Sequence, residues 1–174
     1  DAVYGRTENY VDEDSKIYPT HGYAKMKAEV EKAFQNENYF FVMRLSYVFS
    51  WEDSFSRLLF ASAQDKKNIE IFHPFLRSVV YFDDVLEYIL RFLNSELQAP
   101  NLINLGGGSV ISRLDIVEAF NTNFSVKYDV VSPSKEFLTF RPDQIFMKSK
   151  YFESFMGRSS INVLDRIRSY IIQK

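Results

Sequence analysis

The run Tyr39-Phe-Phe-Val-Met-Arg-Leu45 is almost unbroken in its apolar character and has the length of a strand. A strand with no polar alternation is buried on both faces, which places it inside a parallel sheet. Parallel neighbours are joined by crossovers, usually helices, so this run commits the chain to alternating strands and helices. The remainder supplies them. Residues 21–36 carry a helical apolar stripe at Met26, Val30, Ala33 and Phe34, with Tyr23, Lys27 and Glu31 on a different face. Further helices are expected over 54–63, 148–156 and 160–173, and strands over 69–72, 79–82, 102–105 and 124–131. Asp83 and Ser112 are expected to cap helices that run to Leu93 and Phe120, since a short oxygen-bearing side chain accepts from the free amides of a first turn. Segment 1–4 reads as a strand end, and 5–20 and 141–143 read as loops. The class is α/β.

A chain of 174 residues fits one domain with a real core. Its formal net charge of −2, with charges interspersed, offers no basic face to a nucleic acid. No apolar run approaches the roughly 20 residues that cross a bilayer, and no signal-peptide pattern opens the chain. Cysteine is absent, which removes thiolate chemistry and fits a reducing compartment, and His21 and His73 are too few for a histidine-rich metal site. The reading is a soluble, cytoplasmic protein without a metal. The chain opens Asp1-Ala-Val-Tyr-Gly, within what reads as a strand and without an initiator Met, so it is expected to be a piece of something longer.

Tyr23 and Lys27 stand four residues apart at the start of the first helix, on one face. A cation near a phenol favours the phenolate and draws its pKa down from about 10 toward the working range of a general acid. The spacing alone is weak, because Tyr170 and Lys174 share it. Gly106-Gly107-Gly108 lacks the spaced pattern of a dinucleotide fingerprint and reads as a tight strand-to-helix turn.

Taken in order, the motifs resemble the C-terminal half of an extended short-chain dehydrogenase/reductase, the nucleotide-sugar epimerase, dehydratase and reductase group. Pro19 through Lys27 resembles that family's P-x-x-x-Y-x-x-x-K helix. Val42-Met-Arg-Leu-Ser-Tyr-Val-Phe is similar to the next strand, Arg77-Ser-Val-Val-Tyr-Phe-Asp-Asp-Val to its substrate-arginine segment, and Asn101-Leu-Ile-Asn-Leu-Gly-Gly-Gly to its late strand and turn. Arg44-Leu-Ser-Tyr-Val-Phe and Arg141-Pro-Asp-Gln-Ile-Phe-Met lean toward the dTDP-4-dehydrorhamnose reductase branch, although Tyr47 replaces a Trp and Ile145 and Met147 stand where Ser and Leu are usual.

The resemblance implies the C-terminal part of a Rossmann-like parallel sheet over 1–50, and mainly a smaller α/β substrate-binding region over 51–174. It implies NAD or NADP as cofactor and a nucleotide sugar as substrate. Tyr23 would move a proton to or from the sugar oxygen, and Lys27 would tune Tyr23 and bind the nicotinamide ribose. Leu45 and Ser46 would meet the nicotinamide, Tyr47 would face the sugar, and Arg77 and Arg141 would pair with the diphosphate. The family's catalytic Ser or Thr and its glycine-rich phosphate-binding half would precede Asp1, so these 174 residues alone are expected to be inactive. The first helix would also suit a homodimer, although its apolar stripe equally suits its own sheet.

Plainer readings stay open at each position. Arg77 reads equally as a surface arginine, Arg141 as a loop anchor, Tyr47 as core packing, His73 as a loop residue and Asp83 as a helix cap. The alternative for the whole chain is a non-catalytic binding or regulatory homologue of the same fold.

Overall fold

The structure, a computed structural model, describes residues 1–94 and 100–170; residues 171–173 of the last expected helix lie outside the described residues. After a single 3-10 turn at Ala2–Tyr4 come α1 (Gly22–Phe34), β1 (Val42–Leu45), β2 (Val48–Phe49), α2 (Ser54–Asp65), β3 (Asn68–Phe72), β4 (Leu76–Ser78) and β5 (Val80–Tyr81). Then follow α3 (Phe82–Asn94), β6 (Leu102–Leu105), β7 (Val110–Ser112), α4 (Arg113–Phe120), β8 (Lys127–Val131), α5 (Lys135–Phe140), β9 (Gln144–Ile145), α6 (Phe152–Met156) and α7 (Val163–Arg168).

The expected parallel pairing is present. Val42 to Leu45 run beside Leu102 to Leu105, Val48 beside Val80, and Asn68 to Phe72 beside Lys127 to Val131, all parallel. The strand β4 is central to a mixed sheet, antiparallel to β7 and parallel to β9. One core gathers Phe49, Leu59, Ile71, Ile116 and Phe120 beneath α2 and α4, and a second gathers Val80, Tyr88, Ile103 and Leu105 beneath α3.

Several expectations are corrected. The opening residues form the 3-10 turn in place of a strand end, because the Tyr4 and Gly5 amides close local bonds of 3.0 and 3.2 Å to the Asp1 and Ala2 carbonyls. The apolar run contributes only Val42–Leu45 to a strand; Tyr39 is 75% exposed, and the residue buried in β1 is Arg44. On α1 the stripe of Met26, Val30 and Phe34 faces outward, and the helix meets the body through Ala24, Ala28 and Glu31. The helix α3 starts at Phe82, so Asp83 lies within its first turn, and the buried carboxylate there is Asp84. Asp84 accepts from the Ile161 amide at 2.7 Å and meets Arg158 at 2.7 Å, locking the chain's last part onto α3.

Ser112 caps α4 as expected, in a reciprocal box with Asp115. The glycine run is a tight turn, but it leads into β7 before the helix begins. Two of its three glycines are required by proximity: a Cβ on Gly107 would lie 1.7 Å from the Val79 carbonyl oxygen, and one on Gly106 2.7 Å from that of Met147.

Candidate active site

The helix α1 presents Tyr23 and Lys27 from its first two turns. Lys27 Nζ lies 5.6 Å from the centroid of the Tyr23 ring, and Tyr23 is 59% exposed, so its hydroxyl is open to a ligand. The His21 ring stacks beside it at 6.3 Å. Two turns further along, Glu31 ties the helix to the sheet by accepting from Arg44 Nη2 at 2.6 Å. Arg44 Nη1 in turn donates to the Tyr4 hydroxyl at 2.6 Å, and Tyr4 has Asn104 Oδ1 of β6 as an acceptor at 2.9 Å.

Leu45, the last residue of β1, and Ser46, just beyond it, line different cavities. Leu45 shares a cavity of about 400 Å³ with Val3, Tyr23 and Lys27. Ser46 is buried in the wall of a second cavity, of about 340 Å³, with Tyr47, Arg77 and Arg141. A third space, of about 640 Å³, is walled by Asp1, Tyr23, Arg77, Arg141 and Pro142. Tyr23 therefore joins the first and third spaces, and the two arginines join the third and second. All seven residues expected from the sequence fall on this connected surface. A further cleft of about 560 Å³ on another side of α1, walled by Ile17, Ala28, Phe40 and Leu102, contains none of them.

Individual side chains differ in how free they are. The Tyr47 hydroxyl donates to Asp53 Oδ1 at 3.1 Å, and burial, reinforced by the Asp53 carboxylate, holds this phenol well above its usual range. Tyr47 is thus a fixed neutral wall packed against the main core. Arg77 donates to the Leu76 carbonyl at 2.7 Å and to the Pro142 carbonyl at 2.6 Å, with Nε 3.7 Å from Asp1 Oδ2. Burial pulls its guanidinium down to about 10, Asp143 opposing and Arg113 adding, which leaves it charged at neutral pH. The anchor of the Arg141 loop is therefore Arg77, while Arg141 itself is exposed and lies 5.0 Å from the Phe137 ring centroid.

Two residues of this surface escape a sequence reading. Asp1 reaches all three cavities, and Arg113 lines the second. Arg113 follows the helix cap Ser112 and belongs to no motif; only the pairing of β7 with β4 brings it beside Arg77.

The folded chain shares a Rossmann-like α/β fold with a set of solved structures. Its solved structural neighbours span three chemistries. A Bacillus cereus UDP-glucuronic acid 4-epimerase, in complex with UDP-glucuronic acid and NAD, superposes with a TM-score of 0.73 at 20% identity, over 97% of this chain and 57% of the epimerase. A dTDP-4-dehydrorhamnose reductase from Clostridium acetobutylicum gives 0.73 at 14% identity, over 97% and 61%. A dTDP-glucose 4,6-dehydratase from Bacillus anthracis, in complex with NAD, gives 0.74 at 14% identity, over 96% and 56%. The chain thus spans somewhat over half the length of these structures. No protein-family model and no curated protein sequence matches it. No helix among the described residues is long and apolar enough to cross a membrane.

Proposed function

We propose that this chain is the substrate-side part of a cytoplasmic NAD(P)-dependent reductase or epimerase acting on a nucleotide sugar, of the dTDP-4-dehydrorhamnose reductase type. The observation that carries the reading is the sharing of one 640 Å³ space by Tyr23, Arg77 and Arg141, with Lys27 against the Tyr23 ring. A proton donor and two guanidiniums around one cavity suit a ligand with a reactive oxygen at one end and a diphosphate at the other.

The neighbouring 400 Å³ cavity offers Val3 and Leu45 as an apolar wall and Lys27 as a cation. That combination fits a nicotinamide and its ribose, with Leu45 against the ring, Ser46 behind it and Lys27 toward the ribose hydroxyls. NAD or NADP bound there would supply hydride transfer to or from the sugar carbon. Tyr23 holds the proton for the sugar oxygen, giving it up in reduction and first taking it in epimerisation. Lys27 stabilises the charge that develops on the phenol. Arg77 and Arg141 fix the diphosphate and thereby the sugar's distance from Tyr23, while Tyr47 forms the wall beside it. The outward stripe of Met26, Val30 and Phe34 is the surface on which a homodimer would form. The 174 residues on their own are expected to be inactive.

The test is turnover of dTDP-4-dehydrorhamnose and of UDP-linked 4-hydroxy sugars by the full-length protein and by Tyr23→Phe. Loss of turnover in Tyr23→Phe, with nucleotide-sugar binding retained, is the expected result. Unchanged turnover in that variant removes Tyr23 from the chemistry, and a full-length protein that binds but never converts any such sugar favours the binding-module reading.

A further inference from the structure

Three guanidiniums line the 340 Å³ cavity, and the reading above uses only two of them. Arg113, the first residue of α4, stands in its wall with Tyr47, Arg77 and Arg141. The three cations rest on a connected aromatic base. Arg77 lies 4.2 Å from the Phe75 ring centroid, and Arg113 lies 6.0 Å from the same ring and 4.9 Å from that of Phe55. Arg141 lies 5.0 Å from Phe137, whose ring meets Phe75 edge-on at 5.6 Å. Stacking on a ring restrains the plane of a guanidinium while consuming none of its N–H donors.

The charges in this wall do not balance. Among the described residues that line it, the one carboxylate is that of Asp1, 3.7 Å from Arg77, and the Asp143 charge outside the wall also acts on Arg77. Among the described residues, Arg113 and Arg141 enter no ion pair. Clustered, partly desolvated cations repel one another, and a bound anion relieves that repulsion. Arg113 shares this wall with Arg77 and Tyr47, and its charge acts on both the Arg77 guanidinium and the Tyr47 phenol.

We infer that Arg113 binds an anionic oxygen group of the substrate and helps set which nucleotide sugars the site accepts. This rests on the nucleotide-sugar reading. Two parts of such a substrate carry the required chemistry: the bridging diphosphate, and a carboxylate on the sugar.

The experiment is calorimetric titration of the full-length protein and its R113Q variant with inorganic pyrophosphate, UDP-glucose and UDP-glucuronate. We expect R113Q to lose about tenfold or more in affinity, the scale of a hydrogen bond to a charged group. An equal loss for all three ligands assigns Arg113 to the diphosphate; a loss confined to UDP-glucuronate assigns it to the sugar carboxylate. R113Q binding all three as tightly as the wild type overturns the inference, as does a wild type that binds none. A wild type that binds pyrophosphate but neither nucleotide sugar, with the loss in R113Q retained, overturns the nucleotide-sugar reading and leaves Arg113 as an anion ligand. Should R113Q fail to fold, R113K carries the test: it keeps the charge without the fork, so several-fold weakening is expected and unchanged affinity overturns the inference.

Discussion

Arg44 on β1 grips Glu31 on α1 with all of one edge: Nη2 lies 2.6 Å from Oε2, and Nε lies 3.2 Å from both carboxylate oxygens. Both side chains are largely buried, and the remaining Arg44 nitrogen donates to Tyr4. Because the apolar stripe of α1 faces outward, this pair and the small residues Ala24 and Ala28 hold the helix that presents Tyr23 and Lys27.

Replacing one partner strands a buried charge. Glu31→Gln is expected to cost about 3 kcal/mol of stability, read from urea unfolding, whereas the paired change Glu31→Leu with Arg44→Met recovers most of that loss. A single variant within about 0.5 kcal/mol of the wild type, the range of ordinary surface substitutions, removes the pair from this role.

Tyr88 is fully buried, and its hydroxyl has no hydrogen-bond partner among the described residues. Burial, reinforced by Glu13, raises its phenol to about 12. In the unfolded chain it titrates at about 10, so the folded form keeps its proton through that interval. The stability linked to it is present below pH 10 and is lost as pH rises from about 10 to about 12. Tyr88→Phe should flatten the alkaline limb of a stability–pH curve and, at neutral pH, raise stability by about 1 kcal/mol. A variant curve that falls as steeply as the wild type's through that interval rules the account out.

The glycine turn makes a sharp comparison. Gly107→Ala would drive a Cβ into the Val79 carbonyl oxygen, whereas the nearest heavy atom to a Cβ on Gly108 is Ser160 Oγ at 3.4 Å. Gly107→Ala is expected to destabilise by about 4 kcal/mol or more and Gly108→Ala by about 1 kcal/mol or less. Thermal melting of the two variants side by side decides it; equal losses would mean that the turn relaxes.

Arg141 is exposed and stacked on Phe137, and its loop is fastened by Arg77. Arg141→Ala should therefore leave the melting temperature nearly unchanged. Under the proposed function it raises KM for a nucleotide sugar roughly tenfold to a hundredfold, with a smaller change in kcat. A fall in kcat at constant KM would place Arg141 in the chemical step.

Which features could be read from the sequence follows from the kind of signal each carries. The helix α2, the strands β3 and β6, and the Ser112 cap lie where periodicity and capping residues place them, because those signals are local. The elements α5 and β9 were missed because six residues and two residues are too short to establish a period. The apolar run misled through Arg44: a cation in mid-strand is buried only because Glu31 and Tyr4 arrive from elsewhere. Tyr23 and Lys27 were visible as a spacing on one helix. Arg113 reaches the same surface through a strand pairing, which no local pattern encodes.

The strand pairings have a consequence for how the molecule comes apart. Val42 meets Leu102, Val48 meets Val80, Asn68 meets Lys127, and Leu76 meets both Ser112 and Gln144. These partnerships are interlaced along the chain, so a cut anywhere between residues 50 and 126 severs at least two of them. No half of that interval can melt while the other keeps its ladders intact. Heat or denaturant should therefore take the sheets apart in one cooperative step, and refolding must close several long loops before any of them is rewarded.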